Sequence, residues 1–156
     1  MEYNQYLQKV EGRFKNIQFI EALDTTMFYE EVFKLKWLAT KLKQFSFISY
    51  IQTIGFDEIK RYNDECLNLA LIHYKGLPRG FQTGLVSYNI LVGENISEDA
   101  KKFVTQRPRK HFALFEMPII IDLKKEEVHF YKKNPIWGRI YYKHFREAIE
   151  NNFNLN

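Results

Sequence analysis

The chain contains one cysteine, four prolines and seven glycines in 156 residues, and each scarcity excludes something. A lone Cys66 cannot close an intramolecular disulfide, so the fold must rest on packing. So little proline and glycine leaves no material for a flexible interdomain linker, and neither an internal repeat nor a low-complexity tract is present. No apolar run approaches the ~18 to 20 residues that cross a bilayer. The opening MEYNQYLQKVEGRF lacks the charged-then-apolar order of a secretion signal. The expectation is a cytoplasmic chain that folds as a single domain over residues 1–156 and makes no membrane contact.

Catalytic signatures are equally scarce. There is no Walker loop, dinucleotide fingerprint or Gly-x-Ser-x-Gly elbow. The histidines His73, His111, His129 and His144 show no HxH, HxxxH or Cys-His spacing, so neither a structural zinc nor another cofactor is expected. Cys66 lies among apolar neighbours and reads as a small buried hydrophobe.

What is present is core material: 46% hydrophobic residues, with 14 Phe and 10 Tyr. A chain of this length buries roughly 70% of the surface that its unfolded form exposes. Helical spacing marks residues 2–11, with Tyr3, Tyr6, Leu7 and Val10, and FDEIKRYNDECLNLALIHYKG, whose stripe runs through Ile59, Tyr62, Cys66, Leu69, Ala70 and His73. Leu67, Leu71 and Tyr74 widen that stripe, which implies a helix mostly covered. Ser97 caps a short helix, and a last helix turns Tyr141, Phe145, Ala148, Ile149 and Phe153 inward. Strands are expected at NIQFIEAL, mostly buried, at QFSFISYIQTI, LVSYNILV and HFALFEMPIIIDL, and at EEVHFYK. Residues 28–43 fit a helix, with Phe28, Val32, Leu35, Ala39 and Leu42 on one face, and also a hairpin turning near Ala39 and Thr40. The missing helix stop before QFSFISYIQTI favours the hairpin. The order implies an α+β fold, a mixed or mainly antiparallel sheet of about five to six strands with three to four helices packed on it.

KGLPRGFQTG, residues 75–84, concentrates glycine and arginine. Phosphate-cradling loops follow a strand and open a helix. Here a helix ends and a strand begins, so the glycines read as turn residues, with Arg79 and Gln82 left as ligand contacts.

A turn at Lys124 and Lys125 would pair Asp122 with Glu127 and Ile120 with His129, gathering Asp122, Glu127 and His129 on one face. Two carboxylates and an imidazole suit a hard divalent cation or a shared proton. Glu116, set in an apolar run, requires a cationic partner, Lys133 or an arginine, or else stays partly neutral. These four are the candidate catalytic residues.

Charge is uneven. Residues 101–146 hold twelve Lys or Arg against four acids, while the remainder is acidic overall. Lys101, Arg107, Arg109, Lys110 and His111, with Trp137 and Arg139, form the candidate binding set. The functional expectation is a non-enzymatic binding protein contacting a nucleic acid, another polyanion or an acidic protein partner, with homo-oligomer formation left open. The alternative is a metal-dependent hydrolase or nuclease using the 122/127/129 hairpin. A restriction-type nuclease would carry an acid-x-Lys strand, and EEVHFYKK sets its lysines too far along.

Overall fold

The computed structural model describes residues 1–37, 39–76, 78–80, 83–136 and 138–156, with the backbone alone at Lys36. The helices are α1 (Tyr3–Glu11), α2 (Phe56–His73), α3 (Glu98–Thr105) and α4 (Arg139–Asn152). The strands are β1 (Ile17–Ile20), β2 (Thr25–Lys34), β3 (Thr40–Tyr50), β4 (Thr53–Ile54), β5 (Thr83–Gly93), β6 (Asn95–Ile96), β7 (Lys110–His111), β8 (Leu114–Asp122) and β9 (Glu127–His129). The fold is α+β. Its main sheet has seven strands, more than the sequence suggested, in the order β1-β2-β3-β5-β8, with β7 and β9 each antiparallel on β8. Short β4 and β6 form a separate parallel pair.

The sheet is mixed because its connections are of two kinds. Tight turns join β1 to β2 and β2 to β3, which pair antiparallel. Helices α2 and α3 carry the chain from β3 to β5 and from β5 to β8, which pair parallel. Both crossovers step the same way across the sheet, so a common handedness puts α2 and α3 on one face. Ile59, Cys66, Ala70, Ala100 and Val104 pack there against Phe45, Phe47, Leu85 and Ile120. The other face takes α1 and α4, where Tyr6, Val10, Phe145 and Ile149 meet Phe28, Tyr88, Ile90 and Ile119. Being covered on both sides, β5 and β8 are buried at every residue, as expected of sandwiched strands.

Residues 28–43 form the hairpin. β2 runs on to Lys34, a 3-10 turn spans Leu35–Trp37, and Ala39 takes the left-handed conformation at φ 59° before β3 starts. Three sequence readings need correction. β1 is an exposed edge strand instead of a mostly buried one, because it pairs with β2 on one side only and leaves Ile17 and Phe19 exposed. Leu71 and Ile72 of α2 are exposed, on the flank of the helix turned away from the sheet, which Cys66, Ala70 and His73 face. In α4 Tyr142 is buried while Tyr141 is half-covered. Among the described residues no helix is long and apolar enough to cross a membrane.

Candidate functional site

Because β3, β5 and β8 are parallel, their amino ends lie on one side of the molecule. The end of β2 and the chain entering β3, β5 and β8 meet there, and so does Gly138, before α4, which sits against Phe115. The stretches 31–43, 72–83, 107–115 and 133–140 hold eleven Lys or Arg and a single acid, Glu31; the rest of the chain holds twelve and eighteen. By sequence, these stretches carry the positive excess, while Glu116 and Asp64, which lie outside them, pair with Arg109. The excess does not follow the C-terminal third of the chain: Lys101, Lys124 and Lys125 stand toward the opposite end, and Lys143 and Arg146 run along α4 on the other face.

Several contacts knit this end together. Arg79 NH1 donates to the Phe112 carbonyl at 3.3 Å, joining the α2–β5 connection to the α3–β8 connection. The Phe112 ring lies over Gly80, where a Cβ would come within 2.5 Å of it. Gly80 has φ 87° and donates its N–H to the Thr83 carbonyl at 2.9 Å. This glycine serves a tight turn, and its amide is already committed. Gln82 and Trp137 fall outside the described residues.

Lys43, nearly buried, stacks its ammonium 5.0 Å from the Tyr74 ring centroid and 3.8 Å from Glu31, which also pairs with Lys41 at 3.2 Å. On the opposite face Lys34 lies 3.3 Å from His144 Nδ1. An ammonium has no acceptor, so Nδ1 holds the lone pair and Nε2–H donates to Gln44 Oε1 at 2.8 Å. Leu35, Phe112, Ile136 and Ile140 are exposed on these same connections.

Arg109 and Glu116 form a different arrangement. Glu116 is 2% exposed and accepts from Arg109 Nε at 2.7 Å, Arg109 NH2 at 2.8 Å, the Arg109 backbone N–H at 2.9 Å and Asn63 Nδ2 at 2.6 Å. Asn63 accepts in turn from Asn89, and Asn89 from Ser87, tying α2, β5, β8 and the segment before β7 into one buried network. Burial pushes the Glu116 carboxyl up, but the bonds from Arg109 and Asn63 outweigh it and hold it below the ordinary range. An ionised, saturated carboxylate is a poor catalytic acid. Its cation is the arginine; Lys133 lies beyond the paired residues of β9. Arg109 also donates to Asp64 at 2.6 Å, so its Nε and one terminal nitrogen are committed to two carboxylates. His111 Nε2 stands 3.6 Å from Glu116.

The hairpin cluster lies at the far end. Asp122 pairs with Glu127 and Ile120 with His129, and one ligand atom from each of Asp122, Glu127 and His129 falls within 4.8 Å of the others. Asp122 is 2% exposed and accepts from the Lys125 backbone N–H at 2.9 Å. Burial, against the pull of Glu127, lowers the His129 pKa and favours the neutral ring. Lys101 is tied to Glu98 at 3.0 Å beside this cluster.

No family model, no curated protein and no solved structure matches the chain. Sequence reasoning missed Asn63, Ser87 and Asn89. The signal was there for Asn63, a polar residue at helical spacing between Ile59 and Cys66 on the buried stripe.

Proposed function

We propose that this chain is a non-enzymatic binding protein whose cationic sheet end contacts a polyanion, a nucleic acid or an acidic protein surface. The observation that carries the reading is the segregation of charge: eleven cations and one acid on stretches that meet at the amino ends of three parallel strands. Cations concentrated on one side raise local anion density and steer association. Arg107, Lys133 and Arg139 are exposed there. The test is fluorescence anisotropy with single- and double-stranded oligonucleotides and with an acidic peptide across a salt series. For an oligonucleotide, replacing all three by Ala should flatten the log–log salt dependence by about 2 to 3, close to one per lost phosphate contact. An unchanged slope, or no binding of any of the three probes at low salt, overturns the reading.

One observation favours a second reading, in which the Asp122, Glu127 and His129 cluster holds a divalent cation of a hydrolase. Hard carboxylate ligands and a neutral imidazole fit such an ion, and open α/β sheets bind ligands at the carboxyl ends of parallel strands, where Asp122 stands. A native-state ligand must raise the melting temperature. A rise with Mn²⁺ or Mg²⁺ that Asp122→Asn abolishes supports it; no response to Mg²⁺, Mn²⁺ or Zn²⁺ removes it.

A further inference from the structure

On the α2 face a cleft of about 330 Å³ opens between β1, β2 and β3 and the end of α2. That volume falls within the range of small-molecule sites, roughly 300 to 1,000 Å³. Met27 and Phe45 give it an apolar floor, and the Tyr29 ring tilts against Phe45 at 4.9 Å between centroids. Its polar groups converge from separate elements: Gln18 from β1, His73 from the last turn of α2 and Lys75 from the chain beyond.

Two details narrow the ligand. His73 Nδ1 lies 2.9 Å from the Leu69 carbonyl, which can only accept, so Nδ1 carries the proton and the neutral ring keeps Nε2 as an acceptor. Among the described residues lining the cleft, Lys75 is the one Lys, Arg, Asp or Glu, and it is exposed. Glu31, the acid on the same face of β2 as Met27 and Tyr29, is taken up by the Tyr29 hydroxyl, Lys41 and Lys43. The cleft thus offers an apolar bed, the side-chain amides of Asn16 and Gln18, an imidazole acceptor and, among the described residues, one cation without an acidic partner.

We propose that this cleft binds a small planar molecule bearing a hydrogen-bond donor and one anionic group, a carboxylate or a phosphate monoester. The ring lies against Tyr29 and Met27, the donor meets His73 Nε2, and the anion meets Lys75. The site is distinct from the polyanion surface, sharing with it only the connection that carries Lys75.

The test is a ¹H–¹⁵N correlation titration of the full chain with four probes: 4-hydroxybenzoate, 4-hydroxyphenyl phosphate, phenyl phosphate and uncharged 4-hydroxybenzyl alcohol. The first two should saturably shift the amides of Gln18, Tyr29 and Lys75, and the ratio of their affinities separates a carboxylate from a phosphate ligand. The alcohol should bind at least tenfold more weakly. Lys75→Gln, at an exposed position the fold tolerates, should weaken both anions at least fivefold and leave the alcohol unchanged. His73→Phe should weaken the hydroxylated anions more than phenyl phosphate. Shifts mapping elsewhere, an alcohol equal to the anions, or anion affinities indifferent to Lys75→Gln would each overturn the assignment.

Discussion

Removing the Arg109 guanidinium should strand a carboxylate in the interior, and the effect should depend on pH in a defined direction. In the wild type Glu116 is 2% exposed with its pKa held below the ordinary range, so its contribution is present above about pH 4.3 and is lost as pH falls through the folded value. In Arg109→Met two hydrogen bonds survive, from the residue 109 N–H and Asn63. Burial then dominates and raises the pKa, so ionisation costs stability as pH rises. The gap between the proteins should be small near pH 4 and widest near pH 7.5. Breaking a fully buried pair costs about 3 to 5 kcal/mol. Because the Arg109 side chain is 51% exposed and two bonds remain, about 2 to 3 kcal/mol is expected at neutral pH. Urea unfolding at the two pH values reads this as a midpoint shift of about 1 to 2 M at neutral pH. Arg109→Met/Glu116→Met should recover much of the loss, though Asn63 Nδ2 stays unsatisfied. A gap equal at both pH values, or a double variant whose loss is the sum of the singles, would refute the buried-pair account.

Three further outcomes follow from local geometry. Ser97 Oγ accepts from the Ala100 N–H at 3.1 Å, so Ser97→Ala should cost about 1 kcal/mol and Ser97→Gly only a few tenths, measured by thermal unfolding. A Cβ at Gly93 would meet the Ile51 carbonyl at 2.7 Å and Ile54 at 2.9 Å, so Gly93→Ala should cost about 1 to 3 kcal/mol in the same assay; a loss under ~0.5 kcal/mol would show that the strand end yields freely. The Cys66 thiol is fully buried, and burial pushes its pKa far up, so its labelling by a thiol reagent at pH 7 should follow the rate of opening of the fold. Rapid labelling of the native chain would contradict that burial.

The parts of the fold legible in the sequence are those that local chemistry decides. α2 was readable because its stripe of Ile59, Tyr62, Cys66 and Ala70 repeats at helical spacing over about three turns. The β8–β9 register was readable because strand parity and a short turn leave few pairings, and the observed pairs Asp122–Glu127 and Ile120–His129 follow from both. The exposure of β1 was not readable: Ile17, Phe19 and Ile20 have the composition of a covered strand, and position at a sheet edge is a property of topology. Glu116 could be recognised as needing a cation, whereas the identity of that cation depends on how the segment before β7 folds over β8.

The location of the charge shows the same limit in another form. A window along the chain reports an excess of cations between residues 101 and 146, yet that window travels from one end of the sheet to the other more than once. α3 begins with Glu98 and Asp99, where the helix dipole favours acids, carries Lys102 in its last turn and is followed by Arg107, Arg109 and Lys110. α2 repeats the arrangement, from Asp57 and Glu58 to His73 and then Lys75. Dipole preference thus places acids where crossover helices start and bases where they stop, and parallel strands bring all such starts to one end and all such stops to the other. Helix capping and crossover topology together sort charge along the sheet, and they leave Lys75 and Arg107 exposed beyond the ends of the two crossover helices.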